Sequence, residues 1–268
     1  MVKVLWVVLL ALSFSSAQAD GDLTSLQRAI SGKQRSAEHK ARDKYRHPQQ
    51  TLEFFDVKEN MTVVEIWPGE GWYTEILAPY LKDKGKLYVA HFSAAAKEHY
   101  YKKVLEAFVK KMHKQPKVYD KVKLTVLQPP ESFQIAPDGS ADRVLTFRNV
   151  HNWMKNDQAA AVFNAMYKAL KPGAILGVVE HRNSLLKPQD ASAESGYVSE
   201  DYVIALARNA GFEFLAKSEI NANSKDTKDY PAGVWTLPPS LALKDKDRNK
   251  YLAIGESDRM TIKFIKPK

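Results

Sequence analysis

Apolar residues recur along the chain in two alternating patterns. Short runs rich in β-branched residues, such as residues 61–67, indicate buried strands, whereas apolar spacings of three and four, as in residues 71–81, indicate helices. The predicted strands are residues 61–67, 86–92, 122–127, 142–147, 174–180, 212–220 and 260–265, and the predicted helices are residues 71–81, 94–115, 155–170 and 199–210. Alternating strands and helices imply an α/β fold, with a parallel sheet covered by helices on both faces.

The first 19 residues have a different pattern. Lys3 precedes an apolar run over residues 4–12, and Ala17-Gln18-Ala19 follows, which is typical of a cleaved secretory signal peptide. A membrane anchor is the alternative, but the run is shorter than the ~20 residues that span a bilayer. We therefore expect a periplasmic or secreted protein without stable membrane insertion. Its mature chain begins at Asp20, with a helical segment over residues 20–55 and one domain over residues 56–268.

Composition excludes several protein classes. The 268 residues include 44% hydrophobic residues, 12 Gly, 13 Pro and no Cys, which rules out collagen-like, disordered and disulfide-stabilised chains. The net charge of +9 favours anionic partners. The lysines of residues 94–115 are most simply a solvated helix face, and nucleic acid is not an expected partner of an exported protein. Two long polar loops, residues 182–198 and 221–257, are expected to be functional or mobile.

The ends of the predicted strands carry the candidate chemistry, because ligands of open parallel sheets bind beyond the carboxyl ends of the strands. Gly69 and Gly71 follow the first strand, where they let a ligand approach the backbone at a helix start. A third glycine that would complete the dinucleotide pattern is absent, since Tyr73 and Thr74 stand in that region. The loop therefore favours a nucleotide-like ligand other than NAD or FAD.

Residues 64–74 resemble motif I of class I S-adenosylmethionine-dependent methyltransferases, an acidic residue followed by G-x-G-x-G. The resemblance extends over residues 40–268 and, more narrowly, is to a group of exported predicted methyltransferases. Segments 43–48, 68–79, 170–173 and 258–264 carry it. It implies a Rossmann-like seven-stranded sheet in the order 3-2-1-4-5-7-6, with strand 7 antiparallel.

The resemblance also implies S-adenosylmethionine as the cofactor. Its methionine end and ribose are expected at Glu65, Gly69 and Gly71. The chain departs from the family at two positions: Trp67 replaces the first motif I glycine, and His91 stands where an acidic residue binds the ribose. Gln128 is near the position that contacts adenine. The other residues expected at the cofactor are Trp67, Tyr73, His91 and Asn149.

Methyl transfer requires alignment of the reactants and removal of a proton from the acceptor. His151, shortly after the fourth strand, is the expected general base because histidine titrates near neutrality. Arg148 is expected to bind an anionic substrate group, and Glu180 with His181 to complete the pocket floor. The expected partner is a small-molecule or other methyl acceptor that the sequence does not identify.

Two alternatives remain open. A methyltransferase fold that has lost catalysis could bind a small ligand in the same cleft. A metal-dependent enzyme could use His91, His151, Glu180 and His181, because imidazole and carboxylate groups suit divalent metals. No short-spaced pair such as H-x-x-x-H supports a metal site, so no metal ligands are predicted.

Overall fold

Strands and helices alternate along residues 23–268, the part of the chain that a computed structural model describes. The predicted signal peptide lies outside the described residues. The strands are β1 (Thr62–Ile66), β2 (Lys86–His91), β3 (Lys123–Gln128), β4 (Ser132–Gln134), β5 (Ala141–Phe147), β6 (Leu170–His181), β7 (Glu213–Ser218) and β8 (Arg259–Ile265). The helices are α1 (Ser25–Ser31), α2 (Ala37–Ala41), α3 (Asp43–Arg46), α4 (Pro48–Phe54), α5 (Thr74–Leu81), α6 (His99–Lys114), α7 (Pro116–Tyr119), α8 (Val150–Lys155), α9 (Ala159–Ala169), α10 (Glu200–Asn209) and α11 (Arg248–Ile254).

The sheet has eight strands in the order β4-β3-β2-β1-β5-β6-β8-β7. β1, β2, β3, β5 and β6 are parallel, whereas β8 runs antiparallel to both β6 and β7. The seven predicted strands occur in the predicted order 3-2-1-4-5-7-6, which confirms the fold class. The count of seven was one strand short, because Ser132–Gln134 adds a short antiparallel edge strand beside β3.

Two apolar cores pack against the opposite faces of the sheet. Successive strand residues point to opposite faces, and in β1 Val63 belongs to one core and Val64 to the other. Leu26 and Leu52, from the N-terminal helices, share the core of Val63. Helices α1 and α4 therefore belong to the same core as this face of the sheet.

The predicted helix over residues 155–170 was wrong at its start, where the structure forms two helices. α8 ends at Lys155, Asp157 adopts a left-handed conformation with φ of 52°, and α9 begins at Ala159. Asp tolerates this conformation better than most residues, so a turn can replace helix at this point. Helix α6 likewise begins at His99, five residues after the predicted start.

The long loop over residues 221–257 contains a 3₁₀-helix (Gly233–Thr236) as well as α11. The Val234 N–H donates to the Ser195 carbonyl, so this 3₁₀-helix packs on the other long loop. Within residues 23–268, no helix combines the length and apolar character needed to cross a membrane.

Candidate functional site

Two cavities lie side by side beyond the carboxyl ends of the parallel strands. Cavity A has a volume of about 290 Å³ and is formed by the ends of β1, β5 and β6 together with the loop over residues 221–257. Cavity B has a volume of about 430 Å³ and is formed by residues that follow β2, β3 and α8. Cavity A is lined in part by Glu65, Trp67, Gly69, Trp72, Tyr73, Phe147, Arg148, Asn149, His151, His181 and Trp235. Cavity B is lined in part by Trp67, Ser93, Glu98, Tyr101, Gln128, Asn156 and Gln158.

Trp67 is the wall that the two cavities share. Its backbone is left-handed, with φ of 44°, which is unusual for so bulky a residue. The indole Nε1 donates to the Leu127 carbonyl at 2.8 Å, and the ring packs against Phe92 with 4.7 Å between centroids. The indole therefore extends from the end of β1 across β2 to β3, and a ligand that occupies both cavities has to pass it.

The two glycines of the loop after β1 have different surroundings. Gly69 has φ of 60°, lines cavity A and has no heavy atom within 4 Å of the place where a Cβ would lie. Gly71 has φ of 85°, and a Cβ there would lie 2.9 Å from the Phe108 ring. Gly71 lines neither cavity, so the close packing of α6 accounts for this glycine and its predicted cofactor contact gains no support.

Glu65 lies at the inner end of cavity A and is almost completely buried. Its Oε2 accepts a hydrogen bond from the Thr74 hydroxyl at 2.6 Å. Burial raises the pKa of Glu65 to about 7, against the opposing effects of the Thr74 hydrogen bond and the Lys111 charge. Near neutral pH this carboxyl can hold or release its proton, which suits a group that meets a cationic amine.

The Glu65→Gln variant is expected to gain stability relative to the wild type as the pH rises. A carboxyl with a raised folded-state pKa binds its proton more tightly when folded, so its contribution to stability is present below pH 4.5 and is lost as the pH rises through 7. The loss amounts to about 3 kcal/mol, at about 1.4 kcal/mol per pKa unit. Glutamine retains an acceptor for Thr74 without this titration.

Thermal unfolding at pH 5 and at pH 8 measures this effect. The control is Glu106→Gln, which removes an exposed carboxylate from α6 and should leave the pH dependence unchanged. Equal pH dependence in Glu65→Gln and in the wild type would contradict the assignment.

The His91 ring is hydrogen-bonded to backbone groups on both sides and lines neither cavity. Its Nδ1 accepts from the Phe92 N–H at 2.7 Å, and its Nε2 therefore carries the hydrogen that it donates to the Gly69 carbonyl at 3.1 Å. Burial lowers the pKa of His91 to about 4, so the ring is neutral. Both nitrogens are occupied, and the predicted hydrogen bond to a ribose gains no support.

Three other predicted cofactor residues do line the cavities. Gln128 faces cavity B, and its Oε1 accepts from the Ser93 N–H at 3.2 Å. Asn149 lines cavity A while its amide donates to the Ile66 carbonyl at 2.9 Å. Tyr73 also lines cavity A, and its ring stacks on Phe147 with 3.7 Å between centroids.

His151 and Glu180 form a hydrogen-bonded pair at the floor of cavity A. The His151 Nδ1–H donates to Glu180 Oε1 at 3.1 Å. Glu180 is fully buried and also accepts from the backbone N–H groups of Val150, His151 and His181. The carboxylate therefore fixes the ring orientation and the tautomer, leaving the His151 Nε2 lone pair available to accept a proton.

His181 and Arg148 complete the polar lining near this pair. His181 Nδ1 bonds the Ser257 hydroxyl at 2.6 Å, and its ring centroid is 5.4 Å from that of His151. Burial, together with the neighbouring His151 and Arg148, lowers the pKa of His181 well below its ordinary value, so His181 is neutral. Arg148 follows β5 in a left-handed conformation with φ of 63°. Cavity A thus combines a poised base, a neutral imidazole and a guanidinium.

Trp235 and His181 are among the cavity residues that the sequence did not predict as site residues. Trp235, in the 3₁₀-helix, lies over His151 with 6.0 Å between ring centroids. His181 was considered only as a metal ligand or a part of the pocket floor. The apolar segment Val234-Trp235-Thr236-Leu237-Pro238-Pro239 inside a polar loop was the available signal for Trp235.

The hydrogen bonds disfavour the metal-site alternative. His151, Glu180 and His181 do bring possible ligand atoms within 4.8 Å of one another. Both Glu180 oxygens, however, already accept hydrogen bonds, and the guanidinium of Arg148 lines the same cavity. His91 lies outside the group. His151, Glu180 and His181 therefore suit general-base catalysis, with His151 held by the Glu180 carboxylate, better than the binding of a divalent metal ion.

Solved structures similar to this one share its fold at low sequence identity. A SAM-dependent methyltransferase from Aquifex aeolicus is 16% identical, with 84% of this chain and 93% of that chain covered and a TM-score of 0.56. The cyclase SpnF is 15% identical, with 88% of this chain and 86% of SpnF covered and a TM-score of 0.59. Phosphoethanolamine N-methyltransferase 2 from Haemonchus contortus, in complex with S-adenosyl-L-methionine, is 14% identical, with 84% and 53% covered and a TM-score of 0.53. The chain has the class I methyltransferase fold.

No model of a protein family matches the sequence. No curated protein matches it either. The methyltransferase fold locates the ligand cleft at the carboxyl ends of the strands, where cavities A and B lie. SpnF, a cyclase with the same fold, illustrates that the reaction depends on the residues of the site.

Proposed function

We propose that this protein is an S-adenosylmethionine-dependent methyltransferase. The observation that carries the proposal is the His151–Glu180 pair, a poised base that faces cavity A within a methyltransferase fold. Such a base serves transfer to an acceptor that must lose a proton, such as a hydroxyl.

The residues around the two cavities fit the cofactor. Glu65 and Gly69 line cavity A, where a carboxyl and an open backbone suit the amino-acid end. Gln128 lines cavity B, and its amide Nε2 has no protein acceptor among residues 23–268. This N–H group is therefore available to donate a hydrogen bond to the adenine ring of the cofactor. When bound, the cofactor supplies a methyl group attached to a positively charged sulfur.

The residues of the protein orient the methyl acceptor and accept the proton that the acceptor loses. The acceptor O–H proton moves to His151 Nε2, the oxygen forms a bond to the methyl carbon, and the electron pair of the broken carbon–sulfur bond stays on sulfur. Glu180 stabilises the imidazolium that results, through the Nδ1–H hydrogen bond of 3.1 Å. Trp235 packs edge-on beside His151, with 6.0 Å between the ring centroids.

Calorimetric titration with S-adenosylhomocysteine and S-adenosylmethionine tests cofactor binding. We expect saturable binding that Gly69→Arg weakens by at least about tenfold, since a large side chain there enters cavity A. Gly139→Arg is the matched control, because Gly139 has φ of 61°, equally open surroundings and no part in either cavity. No saturable binding at millimolar ligand would overturn the proposal.

A non-catalytic ligand-binding protein is the second candidate. It is favoured by Trp67, whose indole separates the two cavities, and by His91, whose ring nitrogens are both occupied. Binding of S-adenosylhomocysteine without methyl transfer to any acceptor would support this function instead.

Export to the periplasm or beyond the cell is proposed from residues 1–19 alone. N-terminal sequencing of the mature protein tests it, with Asp20 as the expected first residue. A mature protein that retains residues 1–19 would contradict it.

A further inference from the structure

Arg148 is a cation that faces cavity A without a protein partner. Among residues 23–268 its guanidinium makes no hydrogen bond or ion pair that satisfies ordinary geometry, although it lines the cavity beside His151. Burial lowers the pKa of Arg148 to about 10, which still leaves the group charged at neutral pH. The side chain is only partly buried, and with no protein acceptor its charge and N–H groups are available to an anion in the cavity.

The groups behind Arg148 do not supply the missing negative charge. Arg42, Arg46 and Arg259 all bond the single carboxylate of Glu256, at 2.6, 3.4 and 3.3 Å. Even so, Arg42 Nη2 and Arg46 Nη1 are buried without a hydrogen-bond partner. Three guanidinium groups thus share one carboxylate, and the excess positive charge lies beside cavity A.

The other titratable groups that line cavity A leave this excess in place. Glu65 is the cavity's carboxyl, and because burial raises its pKa to about 7 it is largely protonated just below neutral pH. Glu180 lies beneath the cavity with its oxygens occupied by His151 and backbone N–H groups. His181 is neutral. The end of the cavity beside Arg148 therefore favours an anion.

Aromatic rings form part of the remaining wall, beside the amide groups of Asn149 and Asn152. Trp72, Phe147 and Trp235 line the cavity, whose volume of about 290 Å³ is near the lower end of the range for small-molecule pockets. These walls suit the faces of an aromatic ring. The two parallel N–H groups of a guanidinium edge match the two oxygens of a carboxylate.

We propose that the methyl acceptor is a small aromatic carboxylic acid with a hydroxyl group, whose carboxylate is bound by Arg148 and whose hydroxyl faces His151. This assignment rests on the proposed methyltransferase function. It adds the chemical class of the substrate and the residue that selects it.

Calorimetric titration with 4-hydroxybenzoate and with its uncharged analogue 4-hydroxybenzamide tests the assignment. The wild-type mature chain is expected to bind the acid at least about tenfold more tightly than the amide. Arg148→Met should weaken acid binding by about 10- to 100-fold and leave amide binding unchanged, since one charged hydrogen-bonded contact is removed. Arg148→Lys should restore part of the affinity.

Arg208→Met is the matched control, since it removes an exposed guanidinium from α10, away from both cavities. Arg148→Met should not lower the melting temperature, because Arg148 has no protein partner to lose and its removal relieves repulsion from Arg42 and Arg259. Equal affinity for acid and amide, or unchanged acid binding in Arg148→Met, would overturn the assignment. Binding of inorganic phosphate in place of the acid would also overturn it.

S-adenosylhomocysteine separates this failure from failure of the proposed function. If Arg148→Met abolishes its binding while 4-hydroxybenzoate still binds, Arg148 holds the cofactor carboxylate and the assignment fails, but the methyltransferase proposal stands. If the wild type binds 4-hydroxybenzoate and not S-adenosylhomocysteine, the methyltransferase proposal fails, and with it the acid's role as methyl acceptor, while the anion site remains.

Discussion

Glu256→Gln is expected to lower the free energy of unfolding by about 3–5 kcal/mol, the usual cost of removing one partner of a buried ion pair. Glu256 is 4% exposed and bonds Arg42, Arg46 and Arg259. Burial acts to raise its pKa, but the charges of Arg46 and Arg259 outweigh burial and lower the pKa of Glu256 to about 2. Glutamine keeps an acceptor oxygen but removes the negative charge that bonds all three guanidinium groups.

Urea unfolding of the wild type and two variants measures this effect. Glu219→Gln is the control, because Glu219 is exposed and its partner Arg182 also bonds Asp258 and Glu200. We expect a loss of less than about 1 kcal/mol in the control. Equal losses in the two variants would show that Glu256 does not hold the arginine cluster together.

His151→Gln is expected to lower kcat for methyl transfer by about 10²–10⁴-fold, the usual contribution of a general base. Glutamine has similar size and polarity but cannot accept the acceptor's proton. Affinity for S-adenosylhomocysteine should be unchanged, because the lost interaction serves proton transfer. Transfer of a labelled methyl group to the acceptor, with kcat and KM determined separately, measures the effect.

His113→Gln makes the same change at an exposed histidine of α6 and should leave kcat unaltered. If His151→Gln retained wild-type kcat at neutral and acidic pH, another group would have to remove the proton. A rise in KM alone would assign His151 to acceptor binding.

The sheet was predictable from the sequence because its signals are local. The run from Met61 to Trp67 is almost wholly apolar, as a strand buried on both faces requires, and Pro68-Gly69 ends it. The strand order required the family resemblance as well, since periodicity identifies strands but not their neighbours. The edge strand Ser132–Gln134 is too short, and has too few apolar residues, to be predicted from the sequence.

The site was only partly predictable, because much of its character depends on contacts between distant segments. His151 and Arg148 follow a predicted strand, and their place in the cleft follows from topology. The engagement of His91 with Gly69, by contrast, depends on a side-chain orientation that sequence does not specify. Trp235 lies in a polar loop whose path beside cavity A depends on packing against residues 195–196. Its place in the site could therefore not be predicted from the sequence.

The arginine cluster has a consequence for synthesis of the protein. Arg42 and Glu256 bond each other across a separation of 214 residues. A nascent chain extended only to residue 250 contains β1 to β7, yet it has neither the carboxylate of Glu256 nor β8. Until residue 256 has been made, Arg42 and Arg46 lack the carboxylate that bonds them in the finished fold, so the arginine cluster beside cavity A cannot assemble earlier. A ligand that recognises the finished cleft therefore cannot be captured by a partly made chain.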